Sequence, residues 1–172
     1  EVLPSACAVV DPYRNDCESP YKYYSGVGVA FKLITALEGP DCDISSLLEN
    51  YADLVAIGTI GDIVPLTGEN RNFVKYGLKM ISHTDRIGLA ALIERCGMEG
   101  RRLTSGNIAF TIVPRINATG RISSPDKAVR LLVSEYPEEA AKLSEDINDD
   151  NEYRRQIENE IYENVIEKLR RQ

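Results

Sequence analysis

The fold prediction starts from one stretch, Gly58-Thr59-Ile60-Gly61-Asp62-Ile63-Val64-Pro65-Leu66, and from the apolar run Leu54-Val55-Ala56-Ile57 before it. A short apolar run bounded by turn residues is typical of a strand buried on both faces of a parallel sheet. Since Pro65 cannot continue a central strand, residues 53–60 are predicted to form a strand that ends near Asp62. We therefore expect a helix-rich α/β fold with Asp62 at the carboxyl end of a parallel strand, where such sheets bind ligands.

Asp62 has two interpretations at this position. A carboxylate at a strand end can bind a hard divalent cation. A turn aspartate can instead accept a hydrogen bond from the backbone close to it. The local sequence leaves both open and makes Asp62 the first candidate for a functional residue.

The composition is that of an ordinary globular protein. The 172 residues are 43 % hydrophobic and 27 % charged, and no run approaches the ~20 apolar residues of a membrane span. Four cysteines without a C-x-x-C pair and a single histidine argue against a zinc site and against a two-histidine metal motif. The cysteine pattern and the lack of a secretory signal predict a cytoplasmic protein with reduced thiols. Because the chain begins without methionine, we expect it to be a piece of a longer protein.

Charge is unevenly distributed along the chain. The net charge is −7, yet residues 101–130 carry six basic residues against the single acid Asp126. Anion binding would therefore be local and would use the cations of this basic island, which are Arg101, Arg102, Arg115, Arg121, Lys127 and Arg130. The alternative is that acidic neighbours neutralise the island in the folded chain.

Helical patterns cover most of the remaining sequence. Ser25 is predicted to cap a helix over residues 26–38, and a long helix is predicted from Pro137 to about residue 171. The polar middle of that long helix suits a connection between two bodies. Shorter helices are predicted at 44–50, 69–82, 89–96, 104–113 and 126–133, and residues 6–10 are predicted to form a short strand.

The segment Pro114-Arg115-Ile116-Asn117-Ala118-Thr119-Gly120-Arg121-Ile122 is predicted to be a loop, because Pro114 closes the helix before it. Its two arginines flank a core of small residues. Small residues let a phosphate approach the backbone, and arginine offers bidentate hydrogen bonds to phosphate oxygens. A phosphate-binding loop and a surface loop whose arginines pair with acids both agree with this pattern.

Three motifs occur in an order and approximate spacing that resemble a known family. They are Ser25-Gly26-Val27-Gly28-Val29-Ala30-Phe31-Lys32, the stretch around Asp62, and residues 114–121. Together with the opening Pro4-Ser5-Ala6-Cys7-Ala8-Val9-Val10-Asp11-Pro12, they are similar to the DHH phosphoesterase superfamily, and within it to the single-strand-specific 5′-to-3′ DNA exonucleases. The superfamily's first three motifs, which end in Asp-His-His, and its second, nucleic-acid-binding domain have no counterpart in this sequence.

The resemblance implies a division of the chain. Residues 1–133 would form the C-terminal part of the parallel-sheet DHH catalytic domain, with a helical insertion at about residues 66–112. Residues 134–172 would form the long helix that connects this domain to the second one.

The resemblance also implies site residues. Asp62 would be a catalytic residue and a ligand of a two-metal centre that holds Mn²⁺ or Mg²⁺ and takes most of its ligands from outside this chain. Arg121, with Asn117 and Arg115, would contact the nucleotide or its 5′-phosphate.

The implied function is two-metal hydrolysis of single-stranded DNA from the 5′ end, in DNA repair and recombination, with this segment inactive by itself. One alternative is a superfamily phosphoesterase that acts on oligoribonucleotides or cyclic dinucleotides, and another is a catalytically dead replication scaffold. The helical insertion favours the exonuclease over the first alternative, and the presence of Asp62 argues against the second. The implied partners are single-stranded DNA and unidentified repair or replication proteins, with no membrane.

A surface for stacking bases is not evident in the sequence. Aromatic residues make up 7 % of the chain and cluster at Tyr13, Tyr21, Tyr23 and Tyr24. Aromatic platforms are the usual means by which proteins hold single strands without reading their sequence.

Overall fold

Regular structure in the computed structural model, which describes residues 3–171, is helical throughout, and no strand occurs in that range. The first of two compact units ends at Ile81 and contains α1 (Gly26–Glu38), α2 (Ile44–Gly61) and α3 (Gly68–Ile81). The second unit begins at Ser82 and contains α4 (Ile87–Arg95), α5 (Ser105–Asn107), a π-helical segment (Ile108–Ile112), α6 (Val113–Ile122), α7 (Asp126–Val133) and α8 (Pro137–Arg170). The prediction of a helix-rich fold is confirmed.

The strand predicted at residues 53–60 is wrong, because these residues lie inside α2. The helix begins after Asp43, whose carboxylate accepts hydrogen bonds from the backbone N–H groups of Ser45 at 3.0 Å and Ser46 at 3.3 Å. Seven residues between Ala52 and Ile60 are buried. A helix buried on most sides carries a nearly continuous apolar run, which periodicity cannot distinguish from a buried strand.

The predicted parallel sheet has no support in the described chain. Residues 6–10 form no strand there, and no other described residue belongs to a strand. The sheet prediction depended on the strand at 53–60, and it falls with the assignment of that segment to α2.

The first unit is organised around α2, which packs against both α1 and α3. Ser25 caps α1 by accepting a hydrogen bond from the backbone N–H of Gly28 at 3.2 Å, which confirms the helix predicted at 26–38. Gly77 of α3 lies so close to α2 that an added Cβ would stand 2.1 Å from the carbonyl oxygen of Ala52. The two helices can approach this closely only because position 77 has no side chain.

The second unit is organised around the first half of α8, against which α4, α6 and α7 pack. The buried face of α8 includes Ala140, Leu143 and Ile147. The helices predicted at 126–133 and from 137 onward are confirmed as α7 and α8. None of the helices in the described chain is both long enough and apolar enough to cross a membrane.

The loop predicted at residues 114–122 is wrong, because the chain there continues as helix. Thr104 begins the run with a capping box that it shares with Asn107. A π-helical segment follows, and the backbone N–H of Val113 donates to the carbonyl of Ile108 across its wider turn. Pro114 then stands in the first turn of α6, directly after the wider turn of the π-helical segment.

Candidate functional site

Asp62 lies at the C-terminal end of α2. Its backbone N–H donates to the carbonyl of Gly58 at 2.9 Å, while its side chain is exposed. Within residues 3–171 the carboxylate has no hydrogen bond and no ion pair. The carboxylate of Asp62 therefore does not accept the local backbone hydrogen bond that is typical of a turn aspartate.

The electrostatic setting of Asp62 favours a cation. The C-terminal end of a helix carries a partial negative charge, so a carboxylate there adds to a negative potential instead of offsetting it. No cationic side chain in the described chain compensates Asp62. A bound cation would remove this imbalance.

The residue after Asp62 has an unusual backbone conformation. Ile63 adopts a φ of +57°, and it is the one non-glycine residue with positive φ between residues 3 and 171. Its side chain is branched at Cβ and 88 % exposed, so burial does not compensate the strain of this conformation. Strained residues of this kind occur often beside functional groups.

The described residues do not fit a complete metal centre. No three His, Cys, Asp or Glu side chains in that part of the chain come close enough together to hold an ion. Asp62 alone fits as a single oxygen ligand, because it is exposed and unpaired. Every further ligand would come from elsewhere in a longer protein.

Arg115 is held in place by the helices around it. Its Nε donates to Oδ1 of Asn148 on α8 at 3.0 Å, and its Nη1 donates to the carbonyl of Thr111 at 2.9 Å. The side chain is half-buried. The Nε bond of Arg115 therefore joins α6 to α8, and the Nη1 bond ties the same side chain to the π-helical segment before α6.

Asn117 and Arg121 share one exposed face of α6. They are four residues apart, which places them on neighbouring turns of the same side of a helix. Neither side chain bonds to any residue in the described range. Together they present an amide and a guanidinium to solvent, both of which can bind phosphate oxygens.

The basic island is only partly neutralised. Lys127 pairs with Asp150 at 2.9 Å and Arg130 pairs with Glu139 at 2.6 Å. The hydrogen bonds from Arg130 and then Ser134 hold the pKa of Glu139 below its ordinary value. The island's cations without an acidic partner in the described chain are Arg101, Arg102, Arg115 and Arg121, of which Arg115 binds an amide and a carbonyl instead.

The predicted site residues fall into two groups. Arg115, Asn117 and Arg121 all lie on α6, but Arg115 turns toward α8 while the other two face solvent. Asp62 belongs to the first unit, and the three α6 residues belong to the second.

Sequence reasoning missed Phe110, which is 85 % exposed in the π-helical segment. Ile108 and Ile112 on either side of it are fully buried. Their spacing of four was already a signal, since the residue midway between two core positions of a helix points the opposite way.

The chain is similar to a group of curated exonucleases. It is 39 % identical over 170 residues to the single-stranded-DNA-specific exonuclease RecJ of Bacillus subtilis, covering 99 % of this chain and 21 % of that protein. It is 34 % identical over 168 residues to the RecJ of Escherichia coli, covering 92 % of this chain and 29 % of that protein. The chain therefore spans less than a third of the length of these relatives. No protein-family model matches it.

Solved RecJ structures show the same fold. The crystal structure of exonuclease RecJ bound to manganese matches with a TM-score of 0.76 and 37 % identity over 88 % of this chain and 38 % of the other. The structure of RecJ from Thermus thermophilus with Mg²⁺ matches with a TM-score of 0.71 and 38 % identity over 84 % of this chain and 22 % of the other.

Proposed function

We propose a function on the premise that this chain corresponds in sequence and in fold to one segment of the RecJ exonucleases. The chain would work as part of a longer enzyme that digests single-stranded DNA from the 5′ end. The observation that carries the proposal is the match of 99 % of the chain to a single-stranded-DNA-specific exonuclease. Repair and recombination of DNA in the cytoplasm are the processes that such an enzyme would serve.

The domain division follows from the same premise. Residues 1–133 would belong to the catalytic DHH domain, and residues 134–172 would connect it to a nucleic-acid-binding domain. The parallel sheet of the catalytic domain would lie in other parts of the longer protein. The length of α8, which covers Pro137–Arg170, supports the connecting role.

Asp62 would supply one ligand to the metal centre. Its exposed carboxylate at the negative end of α2 suits Mg²⁺ or Mn²⁺, both of which prefer oxygen ligands. When bound, a pair of such ions activates a water molecule and stabilises the leaving oxygen of a phosphodiester. Because one carboxylate cannot hold these ions, the chain alone would be inactive.

The substrate's terminal phosphate would lie against α6. Asn117 and Arg121 offer it an amide and a guanidinium without competing partners in the described chain. Arg115 would add its Nη2 group, which donates to no described residue. A pocket that binds a 5′-phosphate would make digestion start from that end.

The first experiment tests the metal role in the full-length protein. Asp62→Ala should abolish Mn²⁺-dependent digestion of single-stranded DNA, because the centre loses a ligand, while Asp41→Ala, at another exposed carboxylate, should leave it intact. Chelation by EDTA should stop the wild-type protein. An Asp62→Ala protein with wild-type activity would remove Asp62 from the site.

The second experiment tests recognition of the end. Arg121→Ala should slow digestion of 5′-phosphorylated strands more than digestion of 5′-hydroxyl strands. Arg102→Ala is the matched control, since Arg102 is also exposed and unpaired in the described range. Equal losses on the two substrates would argue against a phosphate contact at Arg121.

A further inference from the structure

Phe110 is an exposed aromatic residue on a firmly packed helix. Its ring is 85 % exposed, whereas Ile108 and Ile112 are both at 0 %. Exposing a phenyl ring forgoes the burial free energy that its two neighbours gain. The Cα–Cβ bond of Phe110 points to solvent, because the buried isoleucines anchor the backbone on either side of it.

The π-helical segment sets the direction of the ring. The wider turn between Ile108 and Val113 adds a residue to the helix just before α6. Such insertions are found frequently at functional sites. Here the insertion presents Phe110 to solvent while Ile108, Ile112 and Val113 remain buried.

Phe110 continues the exposed face that carries Asn117 and Arg121. Asn117 and Arg121 lie one α-helical turn apart, and Phe110 precedes them across the π-helical turn. All three side chains are exposed, and Pro114 between Phe110 and Asn117 is half-buried. Eleven residues of helix separate Phe110 from Arg121, about 16 Å at 1.5 Å per residue. This face therefore presents an aromatic ring at one end and a free guanidinium at the other.

Resting on the proposed function, we infer that Phe110 stacks against a base of the single strand whose terminal phosphate is held by Asn117 and Arg121. Stacking on an aromatic ring tolerates any base, which suits an enzyme that digests strands regardless of sequence. The separation along the helix places the stacked base several nucleotides from the bound phosphate, since stacked bases follow one another at about 3.4 Å along the axis of a strand.

A nucleic-acid strand matches this face better than a protein surface does. The charged group on the face is the cation Arg121, and Arg101 and Arg102 of the same unit also lack acidic partners in the described chain. A polyanion would neutralise these charges. A single aromatic ring among polar groups also offers too little apolar area for a stable protein contact.

The test compares the binding of a set of single strands by the full-length protein with its metal removed by EDTA. One oligonucleotide is normal, and the others carry one abasic position each, moved stepwise from the 5′ end. Phe110→Ala should weaken binding of the normal strand by roughly 5- to 150-fold, the range expected for one stacked base. One abasic position should weaken wild-type binding by a similar factor and should have no further effect on Phe110→Ala.

Two variants separate stacking from other effects. Phe110→Trp should restore binding, because it keeps an aromatic face, whereas Phe110→Leu should bind like Phe110→Ala. Tyr136→Ala, at another exposed aromatic residue of the second unit, should bind like the wild type.

The outcomes distinguish this inference from the proposed function. If the wild-type protein binds single strands and Phe110→Ala binds them equally well, the stacking role is overturned while the exonuclease proposal stands. A lower unfolding temperature for Phe110→Ala would also overturn it, since it would show that protein covers the ring. If the wild-type protein neither binds nor digests single strands, both proposals fail together.

Discussion

Arg115 donates a hydrogen bond from Nε to Oδ1 of Asn148 over 3.0 Å, and this bond joins α6 to the middle of α8. On the same stretch of α8, the carboxylate of Asp150 accepts hydrogen bonds from Nζ of Lys127 at 2.9 Å and from the hydroxyl of Ser123 at 2.6 Å. The polar middle of α8 therefore has a structural role within the second unit. Its polar side chains satisfy donors from α6 and α7 and fix the direction of the exposed face of α6.

The first prediction concerns the two arginines of α6. Arg115→Ala should lower the free energy of unfolding by about 1–3 kcal/mol, because it leaves Asn148 without its donor and removes two charged hydrogen bonds. Arg121→Ala should change it by less than about 0.5 kcal/mol, since its side chain is exposed. Equilibrium urea unfolding of the chain, followed by circular dichroism, measures both. Equal effects of the two substitutions would contradict the assignment of Arg115 as the packed residue.

The second prediction concerns the contact between α4 and α7. A Cβ at Gly88 would lie 1.6 Å from the carbonyl oxygen of Leu131, which is backbone and cannot move aside alone. Gly88→Ala should therefore destabilise the second unit by about 1–3 kcal/mol or more. Gly106→Ala is the control, because the nearest heavy atom to its added Cβ is 3.7 Å away. Urea unfolding should show a loss for Gly88→Ala only.

The sequence predicted helices wherever an amphipathic pattern and a capping residue coincide. Ser25 before α1 and Pro137 at the start of α8 are examples, and both helices begin where predicted. Local signals suffice there because the cap and the apolar stripe are set by the same few residues. The strand predicted at 53–60 failed because the burial of α2 comes from α1 and α3, which no local pattern records.

The sequence predicted which residues belong to the candidate site better than it predicted their secondary structure and their side-chain partners. Composition marked residues 114–122 as a loop, since proline and glycine usually interrupt helices. The chain instead continues as helix through the π-helical segment into α6, and α6 packs against α8, which is distant in sequence. The position of Asn148 decides that Arg115 is held and Arg121 is free. The sequence could therefore predict both arginines as candidates, but it could not predict which of them is held.

The third prediction concerns the strained residue beside Asp62. Ile63→Gly should raise the free energy of unfolding by about 1 kcal/mol, because relief of the left-handed conformation, about 1–2 kcal/mol, exceeds the cost of glycine in the unfolded chain. Ile63→Ala keeps a Cβ and should stay close to the wild type. Thermal unfolding of the three proteins provides the measurement. A loss of stability in Ile63→Gly would mean that the side chain makes contacts that outweigh the strain.

The last prediction concerns Tyr24 and pH. Its hydroxyl donates to the carboxylate of Glu69, which also accepts from Nζ of Lys32 at 3.1 Å. Burial of the ring, followed by the hydrogen bond to Glu69, raises the pKa of Tyr24 above its ordinary value. The folded chain thus keeps a proton that the unfolded chain releases near pH ~10, so the stabilisation by neutral Tyr24 is complete below that pH and is lost as the pH rises above it.

Tyr24→Phe isolates this effect. The variant lacks the hydrogen bond and should be less stable than the wild type by roughly 1–3 kcal/mol at pH 8. Above pH ~10 the difference should shrink, because the wild type then loses a contribution that the variant never had. Tyr23→Phe, at a half-exposed ring without a hydroxyl partner in the described chain, should match the wild type at pH 8. Urea unfolding between pH 8 and pH ~11 gives the comparison, and a difference that stays constant across this range would show that Tyr24 does not titrate differently in the folded chain.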